Sequence, residues 1–523
     1  MELPAAGQLD PRRVHGLLSL LVDGRWWPLT DLVRATATPR RSVEALLADV
    51  AAERDGERFR LTAERVESCR ALLGNGRRPF TAADPVQHLL GDHAGVLARL
   101  TGLIAAAPRG DRALDHVAAT PDTVVRRALL LGARFWLTSA RVLCVGDHDL
   151  TSLAIALIHP DVRVTVVDVD ERVLAYVDRV AGELGLDVRT RWADLRLGLP
   201  RSVREDADVT ITDPPYTPDG VALFVARAVE ALREPDRGRV LLAYGASDRT
   251  PVLALKVQRA LHRLNLVFEA VYPDFNRYVG AEAIGSAADL YVLAPTSRTA
   301  AAVAELAGRT TTSIYTRGPR AVEAGDAPPP DAALAGWRPD LLVGPWPAGV
   351  LPGTPRVRLS TWLDRPFRAA AGEVAVTLPA GMGGALVRVL LAATAERVRV
   401  VLAGDPAGVA DLRAAEPVYE LAVRGSVVDA RRRALPAGPR DAADRVLRHI
   451  LDRAHGRLVN TWREALIAAR APDMTKRQAR AAVLAAAPWA EGVSTLELPV
   501  HRLVELPDAV RATLAADPSP SPP

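Results

Sequence analysis

The spacing of apolar positions changes several times along the chain, and the changes divide it into segments. Near the N-terminus the period is helical. VHGLLSLLVDG, LTDLVRATA and TPRRSVEALLADV each repeat apolar residues three and four apart. Thr30 or Asp31 lies near the start of the second helix, and Thr38 is placed to cap the third ahead of Pro39. RDGERFRLT then reads as a hairpin around Asp55-Gly56. Three helices and a hairpin over residues 1–75 predict a winged-helix-like domain. Residues 76–140 read as a helical connector: a linker at GNGRRPFTAADP, a helical stretch VQHLLGDHAGVLARLTGLIAAAP, and a helix in ATPDTVVRRALLLGARF that opens at Thr120-Pro121.

From residue 141 to 300 short apolar runs alternate with amphipathic stretches, which predicts an α/β domain built on a parallel doubly wound sheet of the Rossmann type. The strands are RVLCVG, VRVTVVDVD, a third ending at Asp194 in RWADLRLGLP, DVTITDPPY, RVLLAYG, LVFEAVYPDF and ADLYVLAP. Helices fall between them, and Gly185 closes ERVLAYVDRVAGELG. Residues 301–365 are rich in proline and read as a linker with ordered packing around Trp337 and Trp346. Residues 366–515 alternate again, continue through three helices, and end in a strand at STLELPVHRLVEL. Residues 516–523 read as a disordered tail. No clean internal repeat is legible.

Composition narrows the function classes. The 523 residues carry 66 basic and 62 acidic groups, a net of +4, which disfavours a polybasic nucleic-acid binder. Residues 1–75 hold 11 Arg and 11 acids, a net of zero, which weakens a DNA role for the first domain. Two cysteines, Cys69 and Cys144, cannot supply a disulfide framework or a four-cysteine zinc site. The first residues lack a secretory signal pattern, and no run of about 18 apolar residues suggests a membrane span, so the expected location is the cytoplasm.

The candidate chemistry lies between 141 and 290. Gly146 follows the first strand and leads into a helix, where a nucleotide loop sits. Asp168 ends the second strand, where an acid accepts ribose hydroxyls. Asp194 stands where such enzymes hold an adenine amino group. Asp213-Pro214-Pro215-Tyr216 follows an apolar strand and precedes a helix. In this turn the carboxylate and a proline carbonyl accept the hydrogens of an amine, and the rings hold those acceptors still. Residues 144–220 contain 15 acids and 8 Arg, a net of −7. Asp147, Asp149, Asp168, Asp170, Glu171, Asp194, Asp213 and Asp219 are expected at or near the carboxyl edge of the sheet. An acidic cleft there attracts a polycation and repels phosphate.

The segments VGDHDLTSLAIAL, VTVVDVDERVL, TDPPYT and YVGAEAIGSAADLYVL resemble the branched-chain polyamine synthases, the bis(aminopropyl)spermidine synthases, over about residues 1–300. The resemblance implies a winged-helix-like domain followed by a methyltransferase-like Rossmann domain. It also implies transfer of aminopropyl groups from decarboxylated S-adenosylmethionine to a spermidine nitrogen, with methylthioadenosine released and no metal. The family's glycine and three aspartates stand here as Gly146-Asp147-His148-Asp149. The decarboxylated donor offers an ammonium to Asp147 and Asp149, whereas the carboxylate of S-adenosylmethionine would be repelled. On this reading Asp213, Pro214 and Tyr216 handle the acceptor. Asp149 is the proton acceptor, its pKa raised by Asp147 and Asp213, and His148 turns away toward sheet or solvent. His148 is the alternative base, with an unperturbed pKa of about 6.5. Asp170, Asp219, Tyr278 and Glu282 complete the polyamine site, with Tyr278 and Glu282 closing it. A homodimer is compatible with this reading. Two other functions fit the same motifs: an S-adenosylmethionine-dependent N-methyltransferase acting on nucleic acid or a protein amine, and a non-catalytic sensor of a polyamine or adenosyl ligand.

Overall fold

A computed structural model describes residues 11–74, 84–245, 250–307, 313–318, 321, 334, 336–367, 371–403, 412–435, 442–470 and 474–515. Most of the GNGRRPFTAADP linker, the whole GDAPPPDAA segment and the C-terminal tail lie outside the described residues. The chain divides into two compact units. The first comprises residues 1–163 and 208–306, the second 164–207 and 307–523.

The first unit opens with helices Pro11–Leu21, Leu29–Thr36, Arg40–Asp49 and Ala63–Gly74. Strand Trp27–Pro28 adds to the hairpin of Glu53–Asp55 and Arg58–Arg60, giving a three-stranded antiparallel sheet. Leu17, Leu21, Leu32, Val33, Val43 and Cys69 are sealed in the shared core. Pro39, and not Thr38, occupies the cap position of the third helix, and the Thr38 hydroxyl donates back to the Thr36 carbonyl. Thr120 caps helix Pro121–Arg134 as its sequence predicts.

The sheet of the first unit runs Arg141–Val145, Val209–Thr212, Arg239–Tyr244, Ala287–Pro295, Leu266–Arg277. The first three strands are parallel. The last two are antiparallel to their neighbours, so the sheet is mixed and not parallel throughout. The physical reason is the connection. A short loop joins 277 to 287, and a short loop can only reverse the chain, whereas a parallel return needs a long crossover.

In the second unit the strands Arg163–Asp168 and Val188–Trp192 pair in parallel around helix Glu171–Leu184, which ends at left-handed Gly185. Its larger sheet runs Arg356–Val357, Leu341–Val343, Glu373–Leu378, Arg397–Leu402, Val427–Arg432, Tyr419–Arg424. Two of these strands and helix Leu359–Asp364 fall inside the proline-rich segment. From Leu341–Val343 onward, the order and direction match those of the first unit: two parallel pairings, then two antiparallel ones. The fold therefore contains a repeat that the residues conceal. The final segment is helical and not a strand. Residues 495–497 form a 3-10 turn, and Val500–Ala515 is an α-helix that buries Leu503, Leu506, Val510 and Thr513 at helical spacing.

Candidate functional site

The site is built from four segments of the first unit that meet at one guanidinium. Strand Arg141–Val145 ends at Gly146, whose φ of +75° favours glycine. The chain then turns through Asp147, His148 and Asp149 into helix Thr151–Ile158. Asp147 accepts the Ser152 amide at 3.2–3.3 Å, at the positive end of that helix. Asp149 is sealed. Its Oδ1 accepts the Ala119 amide at 2.8 Å and its Oδ2 accepts Arg127 Nη1 at 3.0 Å. His148, expected to turn toward the sheet or solvent, turns inward and not to solvent. Its Nε2 lies 3.0 Å from the Val117 carbonyl and 3.1 Å from Asp149 Oδ1, so this nitrogen carries a hydrogen and donates. The ring also stacks on His116, with centroids 4.3 Å apart.

The Asp213–Tyr216 turn follows strand Val209–Thr212. The Thr212 hydroxyl donates to the Val145 carbonyl at 2.8 Å and ties the two strand ends together. Beyond the prolines, the Thr217 amide bonds the Pro215 carbonyl, and the Thr217 hydroxyl caps helix Pro218–Glu230 through the Gly220 amide. The turn is thus fixed at both ends. Asp213 Oδ2 accepts Arg127 Nη2 at 2.6 Å and the Tyr278 hydroxyl at 2.7 Å. Its Oδ1 accepts the Tyr216 hydroxyl at 3.2 Å, and the two tyrosine oxygens are 3.0 Å apart.

Arg127 is the residue that sequence reasoning missed. It sits in helix Pro121–Arg134 with a side chain 2% exposed. Besides its two carboxylates it holds Asn276 Oδ1 through Nε at 2.8 Å, and Asn276 in turn donates to the Ala288 and Asp289 carbonyls. The available signal was the pair Arg126-Arg127 inside the otherwise apolar run TVVRRALLL, since a charge on a core face implies a buried partner.

The electrostatics separate the two acids. Burial pushes the Asp149 carboxyl up, but His148, Arg127 and the Ala119 amide outweigh it and hold its pKa below the ordinary value. This reverses the raised pKa expected of it as a base. Asp213 goes the other way. Burial, joined by the nearby Asp149 charge, pushes its pKa up despite Arg127 and Tyr278. Its side chain is 14% exposed against 2% for Asp149, so Asp213 is also the acid that solvent reaches. Burial and Asp213 push both tyrosines well above their usual range, so both remain neutral hydrogen donors.

Other expected site residues are placed differently. Glu282 does not join Tyr278 in closing the site; Arg40 of the N-terminal domain takes it at 2.9 Å. Gly285 on the same turn comes so close to Ala37 that an added Cβ would lie 2.4 Å from its carbonyl oxygen. Asp219 is exposed in the first turn of helix Pro218–Glu230. In the second unit, Asp168 ends its strand and its Oδ1 accepts the Asp170 amide. Asp170 caps helix Glu171–Leu184 and pairs with Arg172 at 2.6 Å. Asp194 lies two residues beyond the strand end at Trp192, and both of its oxygens are held by Arg196 at 2.8 and 2.5 Å. Among the described residues no group of three His, Cys, Asp or Glu is placed to hold a metal ion, and no helix is long and apolar enough to cross a membrane.

A family model for the branched-chain polyamine synthase A C-terminal domain matches residues 95–313. The N(4)-bis(aminopropyl)spermidine synthase of Thermococcus kodakarensis is 32% identical over 176 residues, 33% of this chain and 49% of that protein. Its namesake in Methanocaldococcus jannaschii is 30% identical over 194 residues, 36% of this chain and 55% of that protein. The chain spans about half the length of the curated relatives it matches. A crystal structure of the branched-chain polyamine synthase from Thermus thermophilus with N4-aminopropylspermidine and 5′-methylthioadenosine covers 54% of this chain and 87% of that one, at 24% identity and a TM-score of 0.41. Arg127, Asp149, Asp213, Tyr216 and Tyr278 all fall within the matched segment. Residues 95–313 of this chain are thus similar to the C-terminal domain of the branched-chain polyamine synthases.

Proposed function

We propose that the protein transfers an aminopropyl group from decarboxylated S-adenosylmethionine to a polyamine nitrogen. The observation that carries this reading is Asp213: a raised-pKa carboxylate at a fixed Pro-Pro turn, open to solvent on one side and bound by two tyrosines and Arg127 on the other. The acceptor amine is held by Asp213 and the Pro214 carbonyl. Its lone pair attacks the propyl carbon beside the sulfonium. An N–C bond forms, the C–S bond breaks with its electron pair going to sulfur, and methylthioadenosine leaves. Asp213 takes the proton that the acceptor nitrogen sheds, since a base must lie within hydrogen-bond reach of it. The donor brings its own leaving group, so orientation and proton removal are the protein's tasks.

Arg127 and Asp149 then act as positioning residues. Asp149 anchors one side of the guanidinium, and the guanidinium orients Asp213 with the other. Asp147 is assigned to the donor's ammonium. Asp194 is left out because Arg196 occupies its oxygens. The N-terminal helices and hairpin are read as winged-helix-like in the same proposal.

The deciding experiment incubates the protein with decarboxylated S-adenosylmethionine or S-adenosylmethionine and a panel of polyamines. Products are then read by mass spectrometry. Aminopropyl additions support the proposal. Methyl additions transfer it to N-methylation, and ligand binding without turnover supports a sensor.

A further inference from the structure

The second unit repeats the strand order of the first without its chemistry. The registers align them: Val145 lies opposite Thr212 in the first sheet, and Val343 opposite Val376 in the second. The glycine that follows is left-handed in both, at φ +75° for Gly146 and +95° for Gly344. Beyond it, Pro345, Trp346 and Pro347 stand where Asp147, His148 and Asp149 stand, and Thr377 stands where Asp213 does. Trp346 is buried with Trp337, Leu342, Ala375 and Val401 in an apolar cluster. At these aligned positions, among the described residues, the repeat therefore offers no acid for an amine.

The polar chemistry of the second unit lies elsewhere, in a cavity of about 390 Å³ lined by Trp192, Ser202, Arg204, Asp364, Arg388, Arg457 and their neighbours. Each of its three carboxylates faces a cation or backbone amides, although Asp364 Oδ1 makes no hydrogen bond among the described residues. Asp194 is held by Arg196, and Asp364 lies 2.8 Å from Arg204 Nη2. Glu497 accepts the Ser202 and Ser494 amides at 3.1 and 2.9 Å. Arg388 is balanced by Glu171 at 2.7 Å and stacks 3.8 Å from the Trp192 ring centroid. Two lining cations remain. Arg201 and Arg457 have no carboxylate partner among the described residues.

Three hydrogen donors on the lining are also unused. Trp192 Nε1, Ser202 Oγ and Arg388 Nε are buried without a partner among the described residues, and Trp192 and Arg388 are 4% and 0% exposed. Buried donors left unmatched cost stability unless a ligand or water satisfies them. Surplus positive charge together with unmatched N–H and O–H groups calls for an acceptor-rich anion.

We propose that this cavity binds a small oxyanion, the phosphate or carboxylate group of a small metabolite, independently of the transfer site. Arg201 and Arg457 supply the charge, and the three buried donors read its oxygens.

Titration calorimetry on the full chain tests this, with inorganic phosphate and citrate as separate probes at an ionic strength balanced with chloride. Saturable binding of either probe, one per chain, is expected. The double variant Arg201→Glu/Arg457→Glu should weaken it by about tenfold or more, through loss of charge-assisted bonds. The milder Ser202→Ala should weaken it measurably while keeping the fold, judged by an unchanged melting temperature without anion. Phosphate binding alone identifies a phosphate ligand, and citrate binding alone a carboxylate. No saturable heat with either probe, or equal affinity in the variants, overturns the proposal. Competition by methylthioadenosine also overturns it, because the anion would then share the donor's site.

Discussion

Asp149 and Asp213 hold opposite ends of the same guanidinium, at 3.0 and 2.6 Å from Arg127 Nη1 and Nη2, and their pKa values move in opposite directions. Asp149 adds a backbone amide and His148 to that contact and stays ionised. Asp213 has tyrosine hydroxyls in their place and feels the charge of Asp149 as well. Two carboxylates near one another with diverging pKa values mark a division of labour. Here the sealed acid anchors and the solvent-facing acid takes the proton.

Replacing Asp213 with Asn removes the proton acceptor and leaves the turn in place. Turnover should fall by about a hundredfold or more, while donor affinity stays nearly constant. Single-turnover rates and calorimetry with methylthioadenosine check this. Lost donor affinity with a surviving rate would refute the assignment.

The pH profile carries the second expectation. Asp213 must be ionised to accept a proton, so the rate falls as pH drops through a pKa raised above the ordinary 3.8. Asp149→Asn removes a neighbouring negative charge that raises this pKa, so the acid limb should move to lower pH. The variant should also be less stable, because Arg127 loses a buried partner, at a cost of about 3–5 kcal/mol. Melting curves and pH–rate profiles separate the two effects. An unchanged rate in this variant would show that the Asp149 anchor is dispensable.

Tyr278→Phe deletes a hydrogen bond to Asp213 that lowers its pKa. The acid limb should therefore move up, opposite to the Asp149→Asn shift. Such bonds to a charged group are worth about 1.5–3 kcal/mol. Tyr216→Phe, at the longer 3.2 Å contact, should show a weaker version of the same change.

Arg127→Lys keeps a positive charge but cannot reach Asp149, Asp213 and Asn276 together. The rate should fall by about tenfold or more with the charge preserved. Partial rescue of Arg127→Ala by added guanidinium is the discriminating readout, since a purely structural loss would not recover.

His148→Asp would place three consecutive aspartates after Gly146, and an outward-facing side chain would tolerate it. The inward ring makes the opposite expectation. A carboxylate would face the Val117 carbonyl and Asp149 in place of a donor. Stability should fall, together with the rate. A variant as active and stable as the parent would mean that His148 does not hold this loop.

Local order in the chain was enough for a good deal. Strand ends at Gly146 and Asp168, the Thr120 cap, the Gly185 terminus and the Asp213 turn are set by residues within a few positions of one another, and short-range sterics and caps write them directly into the sequence. The acidic balance of residues 144–220 is equally a property of composition. The tertiary structure decided which acids meet which partners. Arg127 reaches Asp213 across 86 positions and Tyr278 across 151, and nothing local to TVVRRALLL names those partners. Glu282 was lost to Arg40 for the same reason, 242 positions away. The terminal strands turned antiparallel because of one short connection, and STLELPVHRLVEL became helical because its apolar residues found a helix-spaced core. The repeated strand order was invisible because backbone pairing maintains a sheet, and the side chains at its edge were free to change from Asp to Pro, Trp and Thr.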